Sequence, residues 1–210
     1  ALHQRTEELY QVPDATPDEN GVVELSAIVL RDIVIFPHMV SPIFVVPGSN
    51  LLAIQEAQFN FETMVALVQR DPEVDEPEPD DLLPIGVEIA VGRLLNMPDG
   101  NNSALIQGRR RVEVLEFTQT EPFYRVRVRI IEESTTVNRQ IEALMRTARD
   151  LFERCVQLDR SLPDEAHLYS LNIQEPGWLA DMVNTALSLP FTERQNLLMT
   201  LDPVERLKRT

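Results

Sequence analysis

The groups in this 210-residue sequence that could carry chemistry are three histidines, one cysteine and 34 carboxylates. His38 and Ser41 make the nearest approach to a base beside a nucleophile. A histidine activates a serine when its imidazole lies within hydrogen-bond reach and a third group orients it. Both residues lie in a proline-flanked extended stretch with no such third group, so structural or surface roles are the better reading. His3 and His167 stand alone, and three histidines supply no imidazole-based metal cluster. A single cysteine, Cys155, excludes an intrachain disulfide and a cysteine-rich zinc site. On the apolar side of a helix it reads as a small buried hydrophobe. Asp80-Asp81 and Glu132-Glu133 could work as acid and base, but among 34 carboxylates chance adjacency explains them better. The zinc-protease, phosphate-loop and dinucleotide fingerprints are absent, and ATP turnover needs a phosphate cradle. No catalytic, cofactor-binding or metal-binding residue is therefore assigned.

Two clusters suggest binding instead. Arg109-Arg110-Arg111 beside Gly108 could grip phosphate. The plainer reading is a turn whose arginines pair with acidic neighbours of this chain or an adjacent subunit, since nucleic-acid binders usually add net positive charge and stacking residues. Phe59 and Phe61 sit where a helix gives way to a strand. They either fill a local core or form an exposed patch for binding polypeptide. Core or partial burial is favoured, because an exposed aromatic pair is costly unless used.

A formal charge of -15 repels nucleic acid and favours solubility, and it can steer basic partners. No apolar run approaches the roughly 18 residues of a membrane span, and no signal peptide is visible. These features point to a reducing, cytoplasmic setting with neither membrane nor nucleic acid as a partner.

The elements that must position these groups fall into two periodicities. Residues 1–22 read as an irregular leader rich in Pro, Gly and acids. Val22 to Leu30, Ile33 to Phe36 and Val40 to Val46 are β-branched runs interrupted by proline, as at sheet edges or bends. Ser49 or Asn50 can cap a helix ending near Asn60, and Met64 to Val68 is a buried strand. Residues 71–81 hold seven carboxylates and three prolines, which predicts an exposed, self-repelling, mobile loop. Strand signals resume over Ile85 to Leu95, with turns at Pro98-Asp99-Gly100 and Gly108. From Phe123 to Ile131, Tyr124, Val126, Val128 and Ile130 alternate with Arg125, Arg127 and Arg129, giving one core face and one face for water or acid. After Glu132 the period becomes 3.6: Ile141 to Cys155, Asp164 to Ile173, and a helix opened by Pro176. Thr192 with Gln195 resembles a capping box, and Asp202-Pro203-Val204-Glu205 is a stronger one. The last helix has barely begun at Thr210, an end that points to a longer chain.

The run Ala27-Ile28-Val29-Leu30-Arg31-Asp32-Ile33-Val34-Ile35-Phe36-Pro37-His38-Met39-Val40-Ser41-Pro42-Ile43-Phe44-Val45-Val46 resembles the opening of the N-terminal domain of the ATP-dependent Lon protease family. Similar motifs follow in order: Met64 to Gln69, Ile85-Gly86-Val87, Leu94 to Gly100 and Gly108-Arg109-Arg110-Arg111-Val112. In the helical half they are Leu179-Ala180-Asp181, Glu193-Arg194-Gln195 and Glu205-Arg206-Leu207. Gln107 departs from the family, which commonly has Glu there.

The resemblance implies an α+β chain. A small twisted antiparallel β sandwich or pseudo-barrel with one helix would occupy residues 23–133, and an α-helical bundle residues 134–210, truncated before an ATPase module. It implies a non-catalytic substrate-recognition and assembly region, with ATP and Mg2+ belonging to a full-length serine protease. Expected partners are unfolded or degron-bearing polypeptides and further copies of the parent in a ring. The rival expectation is a stand-alone protein-binding adaptor or scaffold of the same fold.

Overall fold

The structure, a computed structural model, describes residues 9, 11–98, 100–163 and 165–210. The expectations for His3, for Asp99 in its turn and for Asp164 at a helix start lie outside these residues. Two compact units partition the chain, Ala1–Glu132 and Glu133–Thr210.

The first unit contains β1 (Val22–Leu30), β2 (Val40–Val45), α1 (Ser49–Asn60), β3 (Met64–Val68), β4 (Ile85–Val91), β5 (Leu95–Asn96), β6 (Asn102–Gln119) and β7 (Arg125–Ile130). The strands form one sheet in the order β2-β6-β4-β3-β1-β7, with β5 on β6 and β7 returning to β6. Strands β6, β4, β3, β1 and β7 thereby close on themselves, so that none of them has a free edge along its whole length. One pairing departs from the antiparallel expectation: β1 and β3 run parallel. A parallel pair needs a long crossover, and the segment containing β2 and α1 supplies it.

Closure buries Leu25, Ala27, Val65, Leu67, Leu82, Val112, Val126 and Val128 together. The alternation in β7 holds, with Val126 and Val128 buried and the arginine face outward. That face meets acid: Arg125 bonds Glu24 at 3.1 Å, Arg129 bonds Glu113 at 2.9 Å, and Arg127 pairs with Glu116.

Several expectations need correction. Gly108 makes no turn, because β6 runs through it as one 18-residue strand. A Cβ there would strike the backbone carbonyl of Phe36, so glycine serves a close approach of two chains. The pairing with β4 slips one residue here, a bulge that bends the long strand. Val34, Ile35 and Phe36 are buried but irregular. Asn50 does not cap α1; Gly48 occupies that position without a side-chain cap. The Asn50 amide instead accepts from Val29 N at 2.9 Å and donates to Val29 O at 2.8 Å, standing in for a strand neighbour.

The acidic loop is exposed but tethered. Gln69 Nε2 donates to Val74 O at 2.8 Å, Arg31 pairs with Asp75 at 2.8 Å, and Tyr124 Oη donates to Pro77 O at 2.8 Å. Burial, then the charges of Glu78 and Asp81, push the Tyr124 phenol above its ordinary pKa and keep its donor proton in place.

The arginine cluster works within the chain. Arg109 donates to Leu9 O at 2.6 Å and Val12 O at 3.1 Å, and pairs with Asp14 at 3.2 Å. Arg110 donates to Ala15 O at 2.6 Å. Arg111 is buried with its guanidinium 5.8 Å from the centre of the Phe36 ring. These side chains lie on a strand, and two of them strap the leader to the barrel.

The second unit holds α2 (Arg139–Leu158), α3 (Glu165–Leu171), α4 (Pro176–Ala186), α5 (Phe191–Met199) and α6 (Pro203–Arg209). Asn138 caps α2 by accepting from Gln140 N and Ile141 N. Asp202 caps α6 in the same way through Val204 N and Glu205 N, as its motif predicted. Thr192 is not a cap, because α5 begins at Phe191 after Pro190. Met145, Phe152, Val156, Ile173, Leu179, Val183 and Leu207 share the core, with Cys155 half-buried beside Phe152's turn of α2.

One cation ties this unit together. The fully buried Arg206 donates to both oxygens of Glu133 at 2.7 and 2.6 Å and to Thr200 O at 2.7 Å. Its Nε lies 3.0 Å from buried Asp181. Gly177 leaves the necessary room, since a Cβ there would collide with Glu133 and Arg206.

Removing one partner of a buried ion cluster strands the others in a low-dielectric site. Arg206→Ala should therefore cost about 3–5 kcal/mol in chemical denaturation of the chain. A loss under about 1 kcal/mol would contradict this role.

Candidate functional site: an exposed aromatic turn

The candidate polypeptide contact read from the sequence, Phe59 and Phe61, lies at the end of α1. Ala53, Ile54 and Ala57 bury one side of this helix. Leu52, Gln55 and Phe59 fall on the other side at helical spacing and are exposed. At its C-terminus Phe61 N donates to Gln58 O at 3.3 Å and Glu62 N donates to Ala57 O at 3.0 Å. This paired closure requires a left-handed residue just past the helix, usually glycine. Here it is Phe61, at φ 56° and ψ 47°.

Both rings face solvent, Phe59 with 88% of its surface exposed and Phe61 with 55%. The favoured expectation of burial is overturned. The inward stripe of α1 ends at Ala57, and the left-handed turn directs the chain into β3 without folding either ring beneath it. Phe61 carries a second cost, because a side chain in left-handed backbone is disfavoured by about 1–2 kcal/mol. A strained, exposed aromatic residue where glycine would fit better is the kind of outlier that points to use.

The turn stands on a firm base. Gln58 Nε2 donates to Gly92 O at 2.8 Å on one side. On the other, buried Thr63 donates its hydroxyl to Glu88 Oε1 at 2.6 Å. Glu88 is fully buried; its Oε1 also accepts from Ala15 N at 2.7 Å and its Oε2 from Arg110 Nε at 2.6 Å. Carboxylates near the rings, Glu56 and Glu62, add negative charge beside apolar surface. The arrangement offers rigid aromatic area for non-covalent contact and no reacting group.

The histidine and serine are placed apart in role. His38 occupies the left-handed third position of a turn closed by Met39 N donating to Phe36 O at 3.2 Å, and its own N donates to Gly108 O at 2.9 Å. The Ser41 hydroxyl donates to Pro42 O at 3.3 Å. His167 on α3 faces Glu153 on α2 at 3.9 Å. Sequence reasoning passed over Phe44 and Val46, which are 75% and 60% exposed at the end of β2. Their signal was the period of two, with Ile43 and Val45 inward and Phe44 and Val46 outward.

A family model described as the ATP-dependent protease La (LON) substrate-binding domain matches residues 24–210. Lon protease 2 of Herpetosiphon aurantiacus is 36% identical over 187 residues, covering 89% of this chain and 23% of that protein. Lon protease of Solibacter usitatus is 33% identical over 192 residues, covering 91% and 24%. The chain thus spans about a quarter of the length of these relatives. The N-terminal domain of Mycobacterium avium complex Lon protease has the same fold, with a TM-score of 0.72 at 22% identity over 89% of this chain and 95% of that one. A Lon N-terminal domain protein from Xanthomonas campestris gives 0.62 at 17% identity, with the same two coverages of 89% and 95%.

Replacing Phe61 by glycine separates strain from packing. Phe61→Gly should leave stability unchanged or raise it by up to about 1 kcal/mol, as left-handed strain is relieved against a freer unfolded chain. A loss above about 1 kcal/mol in denaturant unfolding would show that the ring supports the fold.

Proposed function

This chain belongs to the LON substrate-binding domain family, and on that premise we propose that it is the substrate-selecting and assembly region of an ATP-dependent Lon-type serine protease. It binds unfolded or degron-bearing polypeptides and performs no chemistry itself. ATP, Mg2+ and the proteolytic groups belong to the remainder of the parent, which works as a cytoplasmic ring of identical subunits. Residues 23–133 form the recognition subdomain behind the leader at 1–22, and residues 134–210 the helical subdomain that leads toward the ATPase module. Relatives named as proteases, of which this chain matches about a quarter, support this reading over a stand-alone adaptor.

The observation that carries the reading is the exposed Phe59–Phe61 turn. Aromatic rings on a fixed reversal give contact area at low entropy cost. The surrounding negative charge keeps that area soluble and favours clients carrying Lys or Arg. Single contacts of this size are weak, and a ring of copies strengthens them through effective concentration.

The test uses an unfolded client protein, with affinity and unfolding midpoint measured for the parent chain, Phe59→Ser and Phe61→Gly. Binding to the parent in the micromolar range or weaker should drop about fivefold or more in each variant, a loss of about 1 kcal/mol or more, with the midpoint held or raised. Full affinity in both folded variants would remove this turn as the recognition site. In parallel, the purified chain should show neither ATP hydrolysis nor cleavage of the client. Turnover that tracks with mutations in this chain would overturn the non-catalytic assignment.

A further inference from the structure

The wall of the β barrel has a notch. Strand β1 pairs with β7 only over Val22–Ser26, and with β3 over Ala27–Leu30. Ala27 N still donates to Tyr124 O at 2.8 Å, but beyond it the β7-side edge has no strand beside it, and the Asn50 amide takes up the Val29 backbone groups instead. A cleft of about 700 Å³ opens there. Buried Ile28, Ile43 and Ile54 line it, and exposed Phe44 and Val46 stand on one side. The tethered acidic loop contributes Asp75 and Pro77, and the β6–β7 turn contributes Glu121, Pro122 and Tyr124.

Its charge is one-sided. Asp32, Asp75 and Glu121 line the cleft against a single guanidinium, that of Arg31, which is already bonded to Asp75 at 2.8 Å. Among the described residues Asp32 and Glu121 have no ion pair. An apolar recess rimmed by two uncompensated carboxylates is complementary to an apolar side chain next to a cation. The recess also touches Ser49, Asn50 and Ile54 of α1, the helix whose other end carries Phe59. That helix has 12 residues. A helix of that length spans about 18 Å, which an extended chain covers in about six residues.

We propose that this cleft is a second recognition site, which takes an apolar side chain flanked by Lys or Arg from an extended polypeptide segment. The same segment then runs along α1 to the Phe59–Phe61 turn. The inference rests on the polypeptide-binding reading and adds to it a location and a preference. Carboxylates at the cleft select basic flanks, while Phe44 and Val46 cover the inserted side chain.

The probe is an unstructured ten-residue peptide of Leu, Lys and Ser, with a counterpart in which Glu replaces Lys. Each is titrated into the isotope-labelled 210-residue chain and followed by amide chemical shifts. Shifts should appear at residues 28–32, 44–50 and 121–124 with the Lys peptide, and the Glu peptide should bind at least about tenfold more weakly. Phe44→Ser should weaken the Lys peptide about fivefold, and Asp32→Asn with Glu121→Gln should weaken it about threefold and flatten its salt dependence. Should Phe44→Ser fail to fold, the carboxylate variant carries the test, since it changes charge alone. Shifts confined to residues 58–63 would overturn the cleft site and leave the aromatic-turn reading standing. Equal binding of the two peptides would overturn the charge preference and the proposal with it. Shifts at neither place, with no affinity for the unfolded client, would overturn both readings.

Discussion

A carboxylate that no water reaches sets the terms for the β unit. Glu88 points from β4 into a fully buried position, where an unmatched charge would cost several kcal/mol. Each of its oxygens is satisfied by a different part of the chain. Arg110 answers from β6, across the bulge that bends that strand. Ala15 answers from the leader, which Arg109 and Arg110 hold by its carbonyls. Thr63 answers from the residue after Glu62, so the chain emerging from α1 is fixed immediately beyond Phe61. One neutralised charge therefore sets a strand register, the course of the leader and the base of the aromatic turn. A strained reversal proposed to bind polypeptide needs such a base, because a freely moving turn would lose its binding energy to ordering.

The helical unit uses the same device with the signs exchanged. Arg206 is the buried charge, and Glu133, Asp181 and the Thr200 carbonyl surround it. Buried ion clusters of this kind stabilise little against well-packed apolar alternatives, yet they are strict about partners. Each unit thus has a polar centre that fixes how its elements meet. Exposed apolar side chains remain on both units: Phe44, Val46, Phe59 and Phe61 on the β unit, and Leu151, Leu158, Leu168, Tyr169 and Leu171 on the helical one. The chain's formal charge of -15 opposes self-association and, on the proposed reading, favours clients carrying Lys or Arg.

Periodicity made much of this legible in the sequence. The alternation from Tyr124 to Ile130 located β7 and its inner face, and the cap at Asp202 with Pro203 located α6. The β-then-α order of an α+β chain followed from the change of period after Glu132. What failed were residues whose local preference yields to a distant partner. Gly108 looks like a turn, but its need is steric, set by Phe36 seventy-two positions earlier. Asn50 has cap chemistry, yet Val29 of β1, which lacks a strand on its β7 side, claims its amide. The arginines of β6 looked like a turn cluster because the leader they hold is almost a hundred residues away. The candidate site was half legible: Phe59 and Phe61 could be named, but their exposure depends on how α1 docks, which no local pattern encodes. The motifs Leu179-Ala180-Asp181 and Glu205-Arg206-Leu207 could be matched to a family, while only the fold shows Asp181 and Arg206 meeting.

The central claim is that polypeptide recognition belongs to the ends of α1 on the β unit, held by buried polar contacts beneath them. Amide hydrogen exchange of the chain with and without saturating unfolded client measures this directly, because exchange reports protection segment by segment. Protection should rise over residues 58–62 and 44–50, with no change across α2 or α6. Protection confined to the helical unit, with the Phe59–Phe61 turn exchanging as fast as in the free chain, would contradict the account.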